Sequence, residues 1–381
     1  MRVVQLVSCR GWSSDAYWAA RVSAELERAG HRVTLVCKHG CDGVIARAGA
    51  EGARRIQTLH FASGVKPWSD AIDVGRLVRH FDEADLVHVH RGKEHWLGAV
   101  ANRISRRPRP LVRTRHIVQP IRAHALNRWL YRRATSLVVT VSDAIRQQYL
   151  AAELLAPERV VAIPGGVDLA RFHPGVDGTG WRRALGLPAD VPLIGLLSGL
   201  RVMKGHEIAI GAAAALAAAG RRFHMVFIGH GRLEPRVREA IAREHLSNRI
   251  SLMGFAPDVP AAVSALDMAL YPALESDGMS RVLFEYLAVG KPVVASRVGV
   301  VSEVLCDGRT ALLVPAGDAP ALAQAIERLL VDPSLRASLG RAAAEVVVQR
   351  LSGAAVARTL AEQYARLLGG AGPAASSTVA T

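Results

Sequence analysis

The chain has 381 residues, 50% of them hydrophobic and 21% charged, with a formal net charge of +15 at pH 7. This length predicts two domains with sizeable cores, since single cores stop growing near ~250–300 residues, and the apolar content excludes disorder for most of the chain. No apolar run reaches the ~18–20 residues that cross a bilayer, the opening MRVVQLVSCRGW is too short in apolar residues for a signal peptide, and Cys9, Cys37, Cys41 and Cys306 are too few for a disulfide framework.

Residues 2–8, RVVQLVS, form a β-branched apolar run that reads as a buried first strand. The chain then passes Gly11 and Trp12 into a helix over 16–28, and 32–37 is a second strand, which makes a βαβ unit. Cys37 and Cys41 with His39 between them have the look of half a zinc site, but no second ligand pair is spaced to complete it, so reduced thiols are expected. Residues 85–90 are another buried strand, followed by a loop over 91–95 and a helix over 96–104. His88, His90 and His95 line a polar edge or satisfy backbone groups there more readily than they hold a metal. A strand over 111–114 ends at Arg115 and His116, and ligand sites of open α/β sheets lie at strand carboxyl ends, so His116 is a candidate site residue.

The positive charge is unevenly placed. Between Glu94 and Asp143 there is no acid, and the gap holds ten arginines: Arg103, Arg106, Arg107, Arg109, Arg113, Arg115, Arg122, Arg128, Arg132 and Arg133. Such a patch attracts polyanions such as anionic lipid; the other reading is a solvated basic face. The helix expected over 121–134 sets Leu126, Trp129 and Leu130 among these arginines, which fits either a membrane-surface helix or a core-packed helix with a basic side. A strand over 136–141 follows, with Ser142 capping the next helix, and the domain boundary falls in the polar, Gly-rich 173–181.

In the second half, 191–199 is a buried strand followed by Arg201 and Lys204, with Gly205 opening a helix. Two cations and a helix N-terminus beyond a strand suit a diphosphate. An alanine-rich helix over 209–219, a strand over 223–229 with a Gly229-His230-Gly231 turn, and a strand over 250–254 before Phe255 come next. Residues 266–274, LDMALYPAL, read as a buried strand running into a loop, and within the stretch from Tyr271, YPALESDGMSRVLFEYLAVGKPVVAS, a helix follows over 281–289, with Ser280 as N-cap, Val282, Leu283, Tyr286 and Leu287 as its apolar face, and Gly290 and Pro292 closing it. Gly278 lets backbone approach a ligand, and Asp277 and Glu285, eight positions apart, are spaced to face one cavity. After a strand over 310–314 comes a last amphipathic helix over 354–368, and 369–381 is Gly/Ala/Ser-rich and expected to be disordered.

That strand–loop–helix resembles the retaining, nucleotide-sugar-dependent glycosyltransferases of family 4. Their fold is GT-B: α/β, two Rossmann-like domains with parallel sheets facing a central cleft. The family carries two glutamates eight apart around a Glu-Gly-Phe-Gly run; here the run is Asp277-Gly278-Met279-Ser280, and Asp277 rather than Glu275 keeps the spacing to Glu285. Pro164-Gly165-Gly166-Val167-Asp168 is similar to the family's Pro-Asn-Gly-Val-Asp, and Gly229-His230-Gly231 to its Gly-Asp-Gly. Lys204 matches the family lysine. The family's arginine position is Gly199, so Arg201 matches with a shifted register, and the glycine-rich loop after the first strand is reduced to Gly11.

The resemblance implies an acceptor domain over 1–172, a donor domain over 173–353, and a helix over 354–368 returning to the first domain. It implies transfer of a sugar, with retention, from a nucleotide-diphosphate sugar to a glycan or glycolipid acceptor, of the kind found in cell-envelope lipopolysaccharide. Lys204 and Arg201 would stabilise the leaving diphosphate without an obligatory metal. Glu285 would bind the donor ribose, Asp277 with the backbone of Gly278, Met279 and Ser280 the donor sugar, Gly229 and Phe255 the nucleotide, and Gly11 phosphate or acceptor. His116 would touch the reacting sugar or the acceptor. The expected partners are the nucleotide sugar, the acceptor and an anionic membrane surface reached through arginines 103–133, with no nucleic acid; the expected place is the cytoplasmic face of the membrane. A non-catalytic polyanion-binding module and a nucleotide-sugar epimerase of the same fold are the alternatives, and release of nucleoside diphosphate without acceptor separates the enzyme from the module.

Overall fold

The computed structural model describes residues 1–276, 278–279 and 281–369, which form two α/β units. The first comprises Met1–Gly166 and residues 353–369; the second comprises Val167–Ser352.

The first unit is built on a seven-stranded parallel sheet. Its strands are β1 (Arg2–Val7), β2 (Arg32–Lys38), β3 (Ile56–Leu59), β4 (Leu86–Val89), β5 (Leu111–Arg115), β6 (Leu137–Thr140) and β7 (Val160–Ala162), in the order β3-β2-β1-β4-β5-β6-β7. Parallel strands joined through helices are covered on both faces, so both sets of alternating side chains must be buried. On β1 and β2, Val4, Leu6 and Val36 feed a core with Phe81, Leu97 and Leu111, while Val7, Leu35 and Cys37 face the other way onto Ala16 and Ala19. The helix Gly353–Gly369 packs on the helix Ser14–Arg28, and its Tyr364 hydroxyl lies 2.5 Å from Nδ1 of His88 on β4.

The second unit repeats the plan with six parallel strands: β8 (Leu193–Leu197), β9 (His224–Ile228), β10 (Ile250–Met253), β11 (Met268–Tyr271), β12 (Val293–Ser296) and β13 (Leu312–Val314), in the order β10-β9-β8-β11-β12-β13. Ile194, Leu196, Met225, Phe227, Met268 and Val294 form its inner layer, and helix His206–Ala218 covers it with small alanines. A polar contact ties the helix Arg281–Ala288 to the sheet: the Leu197 N–H at the end of β8 donates to the Tyr286 hydroxyl at 2.6 Å. Tyr286 is fully buried, and burial pushes its phenol far above the usual range, so the hydroxyl stays neutral.

Several expected boundaries move. Val167 bridges to Ser352 and donates to Leu351 O at 3.1 Å, and buried Phe172 turns back onto Asp168 O at 2.8 Å, so 167–172 belong to the second unit rather than ending the first at 172. The expected loop over 91–95 is instead the first turns of helix Gly92–Ile104, because Glu94 turns inward and accepts from the Arg91 N–H at 2.7 Å. The helix expected over 121–134 begins only at Ala125 and widens into a π turn over Leu130–Ala134, where the Thr135 hydroxyl bonds the Leu130 carbonyl at 2.8 Å. Helices Asp42–Ala50, Pro67–Glu83 and Glu234–Arg243 and strand β3 had no counterpart in the sequence reading.

Replacing Tyr286 by Phe keeps the volume and orphans the buried Leu197 N–H. The expected cost is about 1–3 kcal/mol in urea unfolding followed by circular dichroism, and unchanged stability would mean the contact does not hold the helix.

Candidate active site

Open α/β sheets bind ligands beyond the strand carboxyl ends, where the strand order reverses. In the second unit that point lies between β8 and β11. After β8 the chain runs through Ser198 and Gly199 to Arg201, a single 3₁₀ turn over Val202–Lys204, and Gly205, which starts the thirteen-residue helix His206–Ala218. Gly205 has φ +71°, and a Cβ there would lie 1.9 Å from the Pro272 carbonyl oxygen just after β11. The Leu274 N–H also donates to Met203 O at 2.9 Å, so the loops after β8 and β11 are joined backbone to backbone. Gly229, at the end of β9 with φ +145°, performs the same service on the other side: a Cβ would meet Ser198 O at 2.0 Å.

This clamp sets the cations. Lys204 is buried, with Nζ 5.9 Å from the centroid of the Tyr271 ring at the end of β11. Arg201 is exposed, yet its Nε lies 3.8 Å from the place a Cβ on Gly199 would take, so its guanidinium folds back over the glycine. Sequence reasoning overlooked His206. Burial, with Lys204 acting in the same direction, holds its imidazole down at about 4; Nε2 lies 3.4 Å from Ser198 Oγ, and Nδ1 is buried with no partner among the described residues. A neutral donor–acceptor directly after the Lys-Gly pair is the signal that could have found it.

Glu285 is only 4% exposed, one turn into helix Arg281–Ala288, and Arg281 Nε lies 3.1 Å from its Oε1. Arg281 was not singled out in the sequence, although the i,i+4 spacing predicts the pair. Gly278 has φ +97° and donates to Ser276 Oγ at 3.3 Å, and Met279 is buried. Asp277 and Ser280 lie outside the described residues. Glu275 is exposed. Phe255, beyond β10, is 74% exposed.

In the first unit the order reverses between β1 and β4. His116 follows β5 and is buried, 3.1 Å through Nε2 from His90 Nδ1; His90 Nε2 in turn lies 2.8 Å from Gln5 Oε1 on β1. His88 stacks on His90 at 4.7 Å and lies 2.6 Å from Thr114 Oγ1, and Trp18 stands edge-on against His88 and His116. Burial drives the imidazoles of His88 and His90 well below their usual range and that of His116 to about 3, against the opposing pull of Asp15, so the row is neutral. Nδ1 of His116 is buried with no partner among the described residues. His95 sits on helix Gly92–Ile104, 2.8 Å from Thr135 Oγ1. Among the described residues no group of three or more His, Cys, Asp or Glu is placed to hold a metal ion. Burial likewise pushes the thiols of Cys9 and Cys37 up to about 12. Gly11 is exposed with open space around its Cα, so no steric demand requires glycine there.

The arginine gap is not all surface. Arg103, Arg106, Arg107, Arg122, Arg128, Arg132 and Arg133 are exposed, Arg109 and Arg115 are half-buried, and Arg113 is buried on β5. Arg113 therefore does not belong to a surface patch: β5 is an interior strand whose two faces are both covered.

The two units match two family descriptions, "Glycosyltransferase Family 4" over residues 16–171 and "Glycosyl transferases group 1" over residues 191–332. The chain is 31% identical to the 2-deoxystreptamine glucosyltransferase of Streptomyces kanamyceticus over 273 residues, covering 66% of this chain and 69% of that one. It is 28% identical to the lipopolysaccharide core biosynthesis mannosyltransferase LpcC of Rhizobium leguminosarum bv. viciae, over 67% of this chain and 71% of the relative. In fold it is similar to a glycosyltransferase from Rickettsia africae (TM-score 0.86, 22% identity, 97% and 99% of the two chains) and to Anabaena HepE in complex with UDP (TM-score 0.81, 22% identity, 95% and 99%). The fold is GT-B, and the chain is a glycosyltransferase belonging to family 4.

Proposed function

We propose that the chain moves a sugar, with retention, from a nucleotide-diphosphate sugar to a glycan or glycolipid acceptor of the cell envelope. The observation that carries this reading is the clamp at β8 and β11, which sets Lys204 and Arg201 at the start of helix His206–Ala218. A departing nucleoside diphosphate gathers negative charge in the transition state, and two cations with a helix N-terminus oppose it without an obligatory metal. Glu285, oriented by Arg281, binds the donor ribose; Asp277, Gly278, Met279 and Ser280 bind the donor sugar; Gly229 and Phe255 serve the nucleotide. His116, neutral and with Nδ1 open, meets the reacting sugar or the acceptor. Two relatives support the two substrates: HepE has been solved with UDP-glucose, and LpcC is named for lipopolysaccharide core synthesis.

The same reading places the chain at an anionic membrane on the cytoplasmic side. Among the described residues no helix is long and apolar enough to cross a membrane. Leu126 is 65% and Trp129 38% exposed between the exposed Arg122, Arg128, Arg132 and Arg133, and Trp129 stacks on Trp96 at 6.0 Å. Aromatic and aliphatic side chains set among cations suit a lipid headgroup layer.

Because Lys204 is buried, Lys204→Met, which keeps the stem, is the cleaner test than truncation. Transfer should lose roughly 2–4 kcal/mol in kcat/KM with the melting temperature held, and activity within a few-fold of wild type would sink the diphosphate role. Glu285→Gln should weaken nucleotide binding by about 1.5–3 kcal/mol in calorimetry, and an unchanged affinity would remove Glu285 from the ribose. Arg128, Arg132 and Arg133 replaced together by Gln should weaken co-sedimentation with anionic vesicles, by about 1 kcal/mol for each arginine at low salt. Binding that ignores both the substitution and the salt would leave the arginines as a solvated face.

A further inference from the structure

At the carboxyl ends of β1 and β4 the first unit opens a basin of about 620 Å³, floored by Ser8 and bordered by Arg10, Lys38, Arg91 and Lys93. That volume suits a monosaccharide with a charged substituent. The charges cancel only in part. Arg91 pairs with Asp15 at 3.3 Å and Lys93 with Asp70 at 2.6 Å, but Arg10 reaches only the Ser63 hydroxyl, and Lys38 is spent on the carbonyls of His60 and Phe61 at 2.8 and 2.6 Å. Arg10 and Lys38 thus have no acidic partner among the described residues.

Further features point the same way. Beneath the floor, Glu94 accepts from the Ser8 hydroxyl at 2.6 Å and from the Arg91 N–H, which fixes both lining residues. Burial pushes the Glu94 carboxyl up and the nearby Arg113 pulls it down; Arg113 itself is buried, with Nε and Nη1 unpartnered among the described residues. The thirteen-residue helix Gly92–Ile104 begins in the basin wall, adding its positive end. Finally, Phe61 in the lining holds φ +43°, a left-handed backbone kept by Asp73 on its N–H at 2.8 Å and Lys38 on its carbonyl. Such strain gathers where a loop is held for a ligand. Trp12, edge-on to Tyr17 at 6.4 Å, supplies an aromatic wall for a sugar face.

We propose that this basin binds the acceptor through an anionic group, a phosphate monoester on a sugar, with Arg10 and Arg91 as the reading cations. The assignment rests on the first unit being the acceptor half of a glycosyltransferase. It is separate from the exposed arginines 103–133, none of which lines the basin.

Calorimetry on the full chain tests it, titrating glucose 6-phosphate, glucose and inorganic phosphate with and without saturating UDP or GDP. Glucose 6-phosphate should bind at least about tenfold more tightly than glucose or inorganic phosphate, and Arg10→Gln/Arg91→Gln should lose about tenfold or more of that affinity while nucleotide affinity holds. Arg10→Gln alone, which breaks no ion pair, should show part of the loss at an unchanged melting temperature. Equal binding of glucose and its phosphate, equal binding of inorganic phosphate, or a double variant that binds like wild type would each overturn the proposal. Failure of both nucleotides to bind would overturn the donor reading alone, since the titrations without nucleotide still decide the basin. Vesicles with and without phosphatidylinositol 4-phosphate, which carries a phosphate monoester on its ring, identify the source: binding lost in the double variant assigns a lipid-borne phosphate, and binding of glucose 6-phosphate alone a soluble one.

Discussion

The Pro272 carbonyl occupies the space that any side chain on residue 205 would need, and the architecture of the second unit turns on that contact. A glycine in the left-handed region is the one residue that lets the β8 loop close onto the β11 loop, begin a helix at once and hold its first N–H groups at the point where strand order reverses. Gly229 repeats the solution against Ser198 O, so the loops after three adjacent strands are locked by main-chain contact. Side chains there are free to do chemistry because none is needed to keep the loops together. Lys204 is buried with its ammonium over the Tyr271 ring, and Arg201 leans over the gap that Gly199 leaves.

The first unit meets a different constraint. Its polar residues lie inside, on the sheet face between helix Ser14–Arg28 and helix Gly353–Gly369, and each must find a partner or lose free energy. Gln5, His90 and His116 answer one another across β1, β4 and β5, while His88 spans Thr114 and Tyr364. Neutral imidazoles suit this work, since each offers one donor and one acceptor without the cost of a buried charge. The row ends at His116 Nδ1, so a sheet interior delivers an open ring nitrogen to the strand ends.

What the sequence made legible follows from how far each signal travels along the chain. Buried parallel strands are short continuous runs of Val, Leu and Ile, and β1, β4 and β8 were read within one or two residues. Glycines before a helix and His116 at a strand end are local signals as well. The Gly92 helix start was not, because Lys93, Glu94 and His95 look like a solvated loop until Glu94 is seen to turn inward onto Ser8, 86 positions earlier. Helix Pro67–Glu83 buries only Asp73, Leu77 and Phe81, a stripe too thin to stand out as a period. The partners of His116 lie on β1 and β4, so its protonation state could not be read from its neighbours in sequence. As for Asp277, its spacing to Glu285 is a statement about the sequence alone.

Arg113 shows why charge counted along a chain differs from charge felt at a site. In sequence it is one of ten arginines in an acid-free stretch, indistinguishable from Arg115 two places on. Strand alternation and the interior place of β5 bury it, and two of its nitrogens have no partner among the described residues. An exposed arginine is screened by water and salt within a Debye length of about 10 Å, whereas a buried one keeps its field and must lower its energy through nearby dipoles, carboxyls or a ligand. Glu94 is the acid placed to respond, and it already holds Ser8 and the Arg91 N–H at the basin floor. Arg113 and Glu94 therefore offset one another beneath the floor, as Asp15 and Asp70 offset Arg91 and Lys93, and the charge left for an anion entering from β1 and β4 is that of Arg10 and Lys38 on the rim.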